Sequence, residues 1–203
     1  MTPVQKAAKR MIDLIVAASG MFFLLPLMIF VAIKIKLDSA GPIFFLQERL
    51  GYQGNPFTII KFRSMYPDSE KEGPALSFQT DKRVTKWGLK IRKWKMDELP
   101  QLYNILRGEM SLVGPRPERK HFIDKMAVNH SPFDRLHQVK PGLTSLGMIS
   151  CGYASNIEQL IHRTTYDVRY IERYSLSLDF YIIFSTLRML VMPVVFPYHL
   201  NLK

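Results

Sequence analysis

Residues 95–118 read KMDELPQLYNILRGEMSLVGPRPE, and the organisation of the chain turns on them. Leu99, Leu102, Tyr103 and Leu106 recur at the i, i+3, i+4, i+7 spacing of an amphipathic helix, Pro100 is tolerated in a first turn, and Gly108 can end the segment. This places adjacent carboxylates, Asp97 and Glu98, at a helix mouth. There the backbone N–H groups and the macrodipole stabilise negative charge, which keeps a carboxylate ionised, as a nucleophile must be, and also favours a nearby phosphate. Taken alone, the pair is also what an ordinary cap with first-turn charge complementarity looks like.

The flanks add to this. Arg92, Lys93 and Lys95 precede the pair, and Gly114-Pro115-Arg116-Pro117 follows the helix. The two prolines restrict φ and bias the residue before each to extended backbone, so Arg116 is presented from a stiff loop and can make a two-pronged contact with a phosphate. Upstream, Lys61 and Arg63 alternate along an expected strand in KFRSM, residues 61–65, which aims both at phosphate or lipid headgroup, or leaves both on a solvated face. The candidate site is therefore Asp97 and Glu98 as catalytic carboxylates, with Arg116, Arg92, Lys61 and Arg63 as phosphate-binding cations.

These motifs, with KPGLTS at residues 140–145, resemble the bacterial sugar transferases, the small monotopic phosphoglycosyl transferases, over most of the chain. The resemblance implies transfer of a phosphosugar from a UDP-sugar to undecaprenyl phosphate through a covalent intermediate on Asp97. It also implies UMP as the released product, a Mg²⁺ requirement with Asp97 and Glu98 as candidate ligands, and a place on the cytoplasmic face of the bacterial inner membrane. Two departures stand out. Relatives usually carry Ser before the proline of the membrane helix, where this chain has Leu25-Pro26. Relatives often continue after Pro-Gly with a Thr-Gly-Trp-Ala-Gln-like run, where this chain reads TSLGMISCGYASN over residues 144–156, so no sugar or nucleotide contact carries over. Tyr153 and Asn156 remain candidates to stack on or bond to the donor.

Composition bounds the rest. The 203 residues suit one domain, and 47% hydrophobic content is ample for a core. The single cysteine, Cys151, excludes an intramolecular disulfide and is read as packing. His121, His130, His137, His162 and His199 form no zinc-type pair, so a hard cation on carboxylate and phosphate oxygens is expected instead. A net charge of +11 calls for an anionic partner. No zinc-finger spacing or RNP-like strand points to nucleic acid, and the basic residues are dispersed. From Leu14 to Ile33 the chain runs about 20 residues without a charge, long enough to cross a hydrocarbon core, and no small-x-small cleavage site follows before Lys34.

Basic residues flank that run on both sides, Lys6, Lys9 and Arg10 before it and Lys34 and Lys36 after it, and Pro26 removes a backbone hydrogen bond in its middle. Symmetric positive flanks predict that both ends stay on the cytoplasmic side, and the family resemblance implies the same re-entrant geometry, a helix that enters and returns, touching inner-membrane phospholipid; a spanning helix is the alternative. Trp87, Ile91 and Trp94 share a helical face with Lys86, Lys90 and Lys93 spread over the others, which describes either an interfacial helix or a core-facing one. Pro42 to Leu46 and Thr58 to Phe62 form a hairpin around Gly51–Asn55, and Pro67 to Arg83 is a surface loop, idle or covering a nucleotide. Tyr166 to Leu176 is helical, and Phe180 to Phe196 is a core or interface helix interrupted by Arg188, Pro193 and Pro197. The segment from Asp124 to Pro132 gives no clear pattern.

The expected fold is α+β and mostly helical. A re-entrant membrane helix (1–36) precedes a cytoplasmic catalytic domain (37–203) with interfacial amphipathic helices and a short β-hairpin, and homo-oligomers are left open. Two other readings stay beside phosphosugar transfer: a membrane-anchored basic binding module without catalysis, and whole-sugar transfer with Asp97 as base and UDP as product.

Overall fold

The structure is a computed structural model that describes residues 1–71, 73, 75–76, 81–127 and 131–192. Thr2 and Gln5 close a capping box and Pro3 fills the first turn, starting helix α1, Pro3–Asp38. Thirty-six residues at 1.5 Å each make it about 54 Å long. Pro26 lies inside α1 without ending it. The proline removes one bond, to the Phe22 carbonyl, and the long apolar sequence on either side continues the helix.

The helix begins well ahead of the apolar run, which changes the reading of its first basic residues. Lys9 is buried, with Nζ donating to Asp179 Oδ2 at 2.7 Å and to the Val113 carbonyl at 2.9 Å. Arg10 donates to the carbonyls of Ile105 and Leu106. Both side chains fasten α1 to the rest of the protein instead of reaching into solvent. Farther along, Phe22, Phe23, Leu25, Ile29, Phe30 and Ile33 are exposed on the other side of the helix.

Strands β1 (Phe44–Leu50) and β2 (Pro56–Phe62) pair antiparallel from Phe44↔Phe62 to Leu50↔Pro56. The expected hairpin forms, with strands longer than the β-branched and aromatic residues alone suggest. Gln53 and Gly54 take positive φ in the turn, 57° and 73°. Helix α2 (Lys86–Lys93) follows, capped by Thr85, then a 3₁₀ turn over Met96–Glu98 and helix α3, Gln101–Arg107. In α2, Ile91 is fully buried and the Trp87 ring meets Phe30 of α1 edge-on at 5.9 Å, so these two serve the core. Leu89 and Trp94 are the exposed apolar residues there.

Strand β3 (Ser111–Val113) pairs in parallel with β4 (Gly142–Thr144), a second small sheet that the sequence does not announce. It requires glycine at the crossing: a Cβ on Gly142 would sit 2.1 Å from the Gly114 nitrogen. Helix α4 (Lys120–Ala127) fills the start of the segment that gave no pattern. Helices α5 (Leu146–Cys151), α6 (Ile157–Glu172) and α7 (Leu176–Val191) complete the described chain. The expected breaks at Pro193 and Pro197, and His130 and His199, lie outside the described residues, as does part of the loop before Arg83. Cys151 is half-buried, 3.4 Å from His162 Nδ1, and burial pushes its thiol up to about 11, which keeps it protonated.

Three apolar clusters hold these elements. Ala17, Leu102, Ile105, Met110, Tyr170 and Ile182 join the first half of α1 to α3, α6 and α7. Val31, Ile35, Phe62 and Ile91 join its second half to β2 and α2. Phe122, Met126, Leu136, Leu160 and Val168 pack α4 and the 3₁₀ segment Ser131–Gln138 against α6.

Candidate active site

The 3₁₀ turn carries the acidic pair, and its entry is set by Lys95 in the left-handed region at φ 56°. The expected position at the mouth of an α-helix is replaced by this tighter turn, with Leu99 and Pro100 intervening before α3. Pro100 explains the offset, since its fixed φ suits the residue just ahead of a helix. The buried face of α3 is Gln101, Leu102, Asn104 and Ile105, while Tyr103 is exposed. Asn104 locks α3 to the hairpin: Oδ1 accepts from Ile60 N at 3.1 Å, and Nδ2 donates to the Thr58 carbonyl at 2.8 Å and to Glu109 at 2.7 Å. That lock sets the acidic pair opposite the end of β2.

Glu98 Oε1 accepts from Arg116 Nη2 at 2.6 Å and from Lys61 Nζ at 3.2 Å. Lys95 Nζ donates to the Tyr153 hydroxyl at 2.5 Å, and the Arg116 guanidinium stands 5.6 Å from the centre of the same ring. Arg116 itself is placed by backbone, as expected for a proline-flanked residue. Asp167 accepts its N–H at 3.1 Å and that of Gly147 at 2.8 Å, while the Gly142 N–H donates to the Pro115 carbonyl at 2.9 Å. The KPGLTS strand is therefore the support of the arginine loop.

Asp97 and Glu98 are both buried, yet their ionisation is pushed apart. Burial raises Asp97 to about 6, with Glu98 adding to the rise and Lys61, Arg92 and Lys95 opposing it. Burial also works against the charge on Glu98, but Arg116, Lys61 and Lys95 overcome it and hold that carboxyl well below the usual range. Burial thus decides the shift of Asp97, and the side-chain cations decide that of Glu98. Burial lowers Lys95 to about 8, against the pull of Glu98. Asp97 Oδ1 has no hydrogen-bond partner among the described residues.

These groups face one cleft of about 300 Å³, lined by Lys61, Arg92, Asp97, Glu98, Arg116 and Tyr153 among others. Arg63 also borders it but is committed elsewhere: its guanidinium donates to the Ser39 and Ala40 carbonyls at 2.6 and 2.8 Å, closing the C-terminus of α1. It lies one residue beyond β2, where the alternation that would pair it with Lys61 no longer holds. Asn156 caps α6 through Gln159 N and does not line the cleft, whereas Tyr153 does.

No three His, Cys, Asp or Glu side chains gather as metal ligands among the described residues. Mg²⁺ commonly keeps its waters and takes one or two carboxylates plus substrate phosphates. The adjacent carboxylates, with the unpartnered Asp97 oxygen, fit that donor set.

Residues 4–193 match the family profile described as bacterial sugar transferase. The chain belongs to the bacterial sugar transferase family. It is 40% identical over 187 residues to a UDP-N-acetylgalactosamine-undecaprenyl-phosphate N-acetylgalactosaminephosphotransferase of Aeromonas hydrophila, covering 92% of this chain and 44% of that protein. It is 41% identical over 186 residues to an undecaprenyl-phosphate glucose phosphotransferase of Komagataeibacter xylinus, covering 89% and 35%. With a UDP-glucose:undecaprenyl-phosphate glucose-1-phosphate transferase of Caulobacter vibrioides it shares 38% over 180 residues, covering 88% and 67%. The chain thus spans less than half the length of the first two relatives.

In this bacterial sugar transferase, sequence reasoning missed Arg49, Lys95, Glu118 and Arg163, all at or beside the cleft. Glu118 was in view as the last letter of GPRPE, and Lys95 as one more basic neighbour of the acidic pair. Nothing local marks Arg49 or Arg163, which arrive from β1 and α6.

Proposed function

We propose that this chain transfers a sugar 1-phosphate from a UDP-sugar to undecaprenyl phosphate, the step that initiates glycan assembly, at the cytoplasmic face of the inner membrane. The carrying observation is Asp97, a buried carboxylate with an unpartnered oxygen in a cleft lined by Lys61, Arg92 and Arg116. An Asp97 oxygen attacks the β-phosphorus of the donor. The new bond makes a mixed acyl phosphate on Asp97, and the bond to the α-phosphate oxygen breaks, releasing UMP. A phosphate oxygen of the lipid then attacks the same phosphorus and frees Asp97. Both displacements concentrate negative charge, which Arg116 and Lys61 neutralise from positions fixed by Glu98. Mg²⁺, held by Asp97 or Glu98 together with the donor phosphates, would supply further charge neutralisation. The lipid phosphate is already mostly ionised near neutral pH, so a base for it is unnecessary.

The membrane placement has its own support. An 18-residue stretch of α1 has a mean hydropathy of 2.5, and its exposed side is apolar. Ala17 packs with α3, α6 and α7, and Ile35 packs with β2 and α2, so both halves of α1 stay on the same domain. A spanning helix would carry one end about 30 Å away from that domain, across the bilayer. The packing supports a helix that keeps both ends on one side of the membrane and meets the lipid with its exposed apolar side, where Phe22, Phe23, Leu25 and Ile29 flank Pro26.

The test is the nucleotide released when the purified chain, in detergent with Mg²⁺, meets a panel of UDP-sugars and undecaprenyl phosphate. UMP from the wild type, with none from Asp97→Asn, is the expected result. UDP as product would replace the proposal with direct glycosyl transfer, and turnover by Asp97→Asn would remove the covalent step.

A further inference from the structure

The cleft holds more positive charge than the reacting phosphorus accounts for. Two residues beyond Arg116, the buried Glu118 accepts from two arginines at once. Arg163 Nη2 donates to one oxygen, and Arg49 Nη1 lies 3.4 Å from the other. Arg163 is 5% exposed, which puts its guanidinium among the most buried charges of the protein. Glu70 adds negative charge near Arg49 and Asp167 near Arg163, while Arg116 and Arg119 add positive charge to the same desolvated place. Moreover, Nε of Arg49 and Nε of Arg163 both lack a hydrogen-bond partner. Other N–H groups are already engaged, Arg49 with the Pro117 carbonyl and Gln47 Oε1 and Arg163 Nη1 with Met148 Sδ, but a purely structural ion pair does not need the second arginine, whereas a bound oxyanion would use its charge.

The position of this cluster identifies the oxyanion. Arg49, Glu118 and Arg163 line the same cleft as Asp97. Residues 116 and 118 are joined by Pro117, and two residues of extended chain span at most about 7 Å. The two phosphorus atoms of a diphosphate, joined by one bridging oxygen, lie closer together than this, so Arg116 and the arginines on Glu118 are near enough to serve adjacent phosphates of one donor.

We propose that Arg49 and Arg163, held by Glu118, form the subsite for the donor phosphate that stays with the nucleoside and departs in UMP. The assignment rests on the sugar-phosphate transfer proposed above and divides its cations into two sets. Arg116 and Lys61 serve the transferred phosphate, and Arg49 and Arg163 grip the leaving one. Any phosphate monoester shares this chemistry, so the lipid phosphate is the competing occupant.

Calorimetric titration of the full chain in detergent with UMP, uridine and undecaprenyl phosphate separates these cases. The wild type is expected to bind UMP more tightly than uridine. Arg49→Gln and Arg163→Gln are each expected to cut UMP affinity at least tenfold, with uridine and undecaprenyl phosphate affinities unchanged. Arg49, the more exposed of the two, keeps the test open if loss of the buried Arg163–Glu118 pair unfolds the chain. A thermally stable Arg49→Gln that retains the wild-type preference for UMP over uridine overturns the subsite, and so does one that loses undecaprenyl phosphate instead of UMP. If the wild type releases UMP in turnover while both variants keep that preference, the transfer reaction stands and the subsite falls. No UMP release and no preference for UMP over uridine overturns both.

Discussion

Two buried ionic clusters in this protein look alike in composition and differ in how completely they are satisfied. At the junction of α1, β3 and α7, Lys9 donates to Asp179 Oδ2 and to the Val113 carbonyl. The Tyr170 hydroxyl donates to Asp179 Oδ1 at 2.6 Å, and Asp13 Oδ1 accepts the Leu112 N–H at 2.9 Å. None of these atoms is left without a partner. In the cleft, Asp97 Oδ1 and the Nε groups of Arg49 and Arg163 are buried and unmatched. Burial of charge alone does not mark function. Unmatched atoms by themselves do not either, since Trp87 Nε1, Gln101 Nε2 and Ser111 Oγ are unmatched away from the cleft; what sets the cleft apart is that its unmatched atoms belong to charged groups gathered around one cavity.

The sharpest way to break this comparison is to remove one carboxylate from each cluster and measure both turnover and stability. Asp97→Asn should abolish UMP release, with a loss of at least about 10³-fold, as expected when a nucleophile is replaced. Its folded state should survive. Asp179→Ala should do the opposite kind of damage, leaving Lys9 as an uncompensated buried charge at a cost of about 3–5 kcal/mol. Thermal unfolding in detergent checks this. The pair replacement Lys9→Met with Asp179→Leu should recover much of the loss, and failure to recover it would mean the cluster does more than tie α1 down.

How much of this contrast was legible in the sequence depends on how local each part is. The Asp97-Glu98 pair, the proline-stiffened Arg116 and the hairpin are written in adjacent residues, and the structure brings Asp97, Glu98, Arg116, Arg92 and Lys61 to one cleft. Arg63 shares their motif, but whether a strand continues one residue further is a tertiary matter, and the chain ends β2 at Phe62. Lys9 and Arg10 carry the pattern of a membrane flank, and only the arrival of Asp179 and the end of α3 makes them internal ties. The Glu118 cluster joins β1, the arginine loop and α6, from positions 49, 118 and 163, so no window of sequence contains it. The parallel β3–β4 pair is hidden for another reason: three-residue strands carry too little periodicity, and its requirement is the close approach of Gly114 and Gly142.

A smaller effect tests the support of the site. Asn104 satisfies the Ile60 N–H and the Thr58 carbonyl from a fully buried position, so Asn104→Ala leaves two backbone groups of β2 unmatched. The expected cost is about 1–3 kcal/mol in thermal stability. Because the same contacts hold the acidic pair opposite Lys61, kcat should fall along with it. An unchanged kcat would separate the lock on α3 from the geometry of the site.

An effect no larger than that of Asn104→Ala carries an unusual sign. The Asp97 carboxyl is raised from its ordinary 3.8 to about 6 by burial first and Glu98 second. In the folded protein it therefore holds its proton more tightly than in the unfolded chain. Such a group favours folding below its unfolded value, and that contribution is lost as pH rises from about 4 through 6. At neutral pH the ionised Asp97 is a net burden of about 1–3 kcal/mol, since each tenfold gain in proton affinity is worth about 1.4 kcal/mol. In EDTA at pH 7, Asp97→Asn should thus be more stable than the wild type, and the difference should vanish near pH 4. A variant equally stable or weaker at pH 7 would mean that Lys61, Arg92 and Lys95 already compensate the charge. The cleft would then be as settled as the cluster around Lys9, and its claim to reactivity would have to rest on the unmatched oxygen alone.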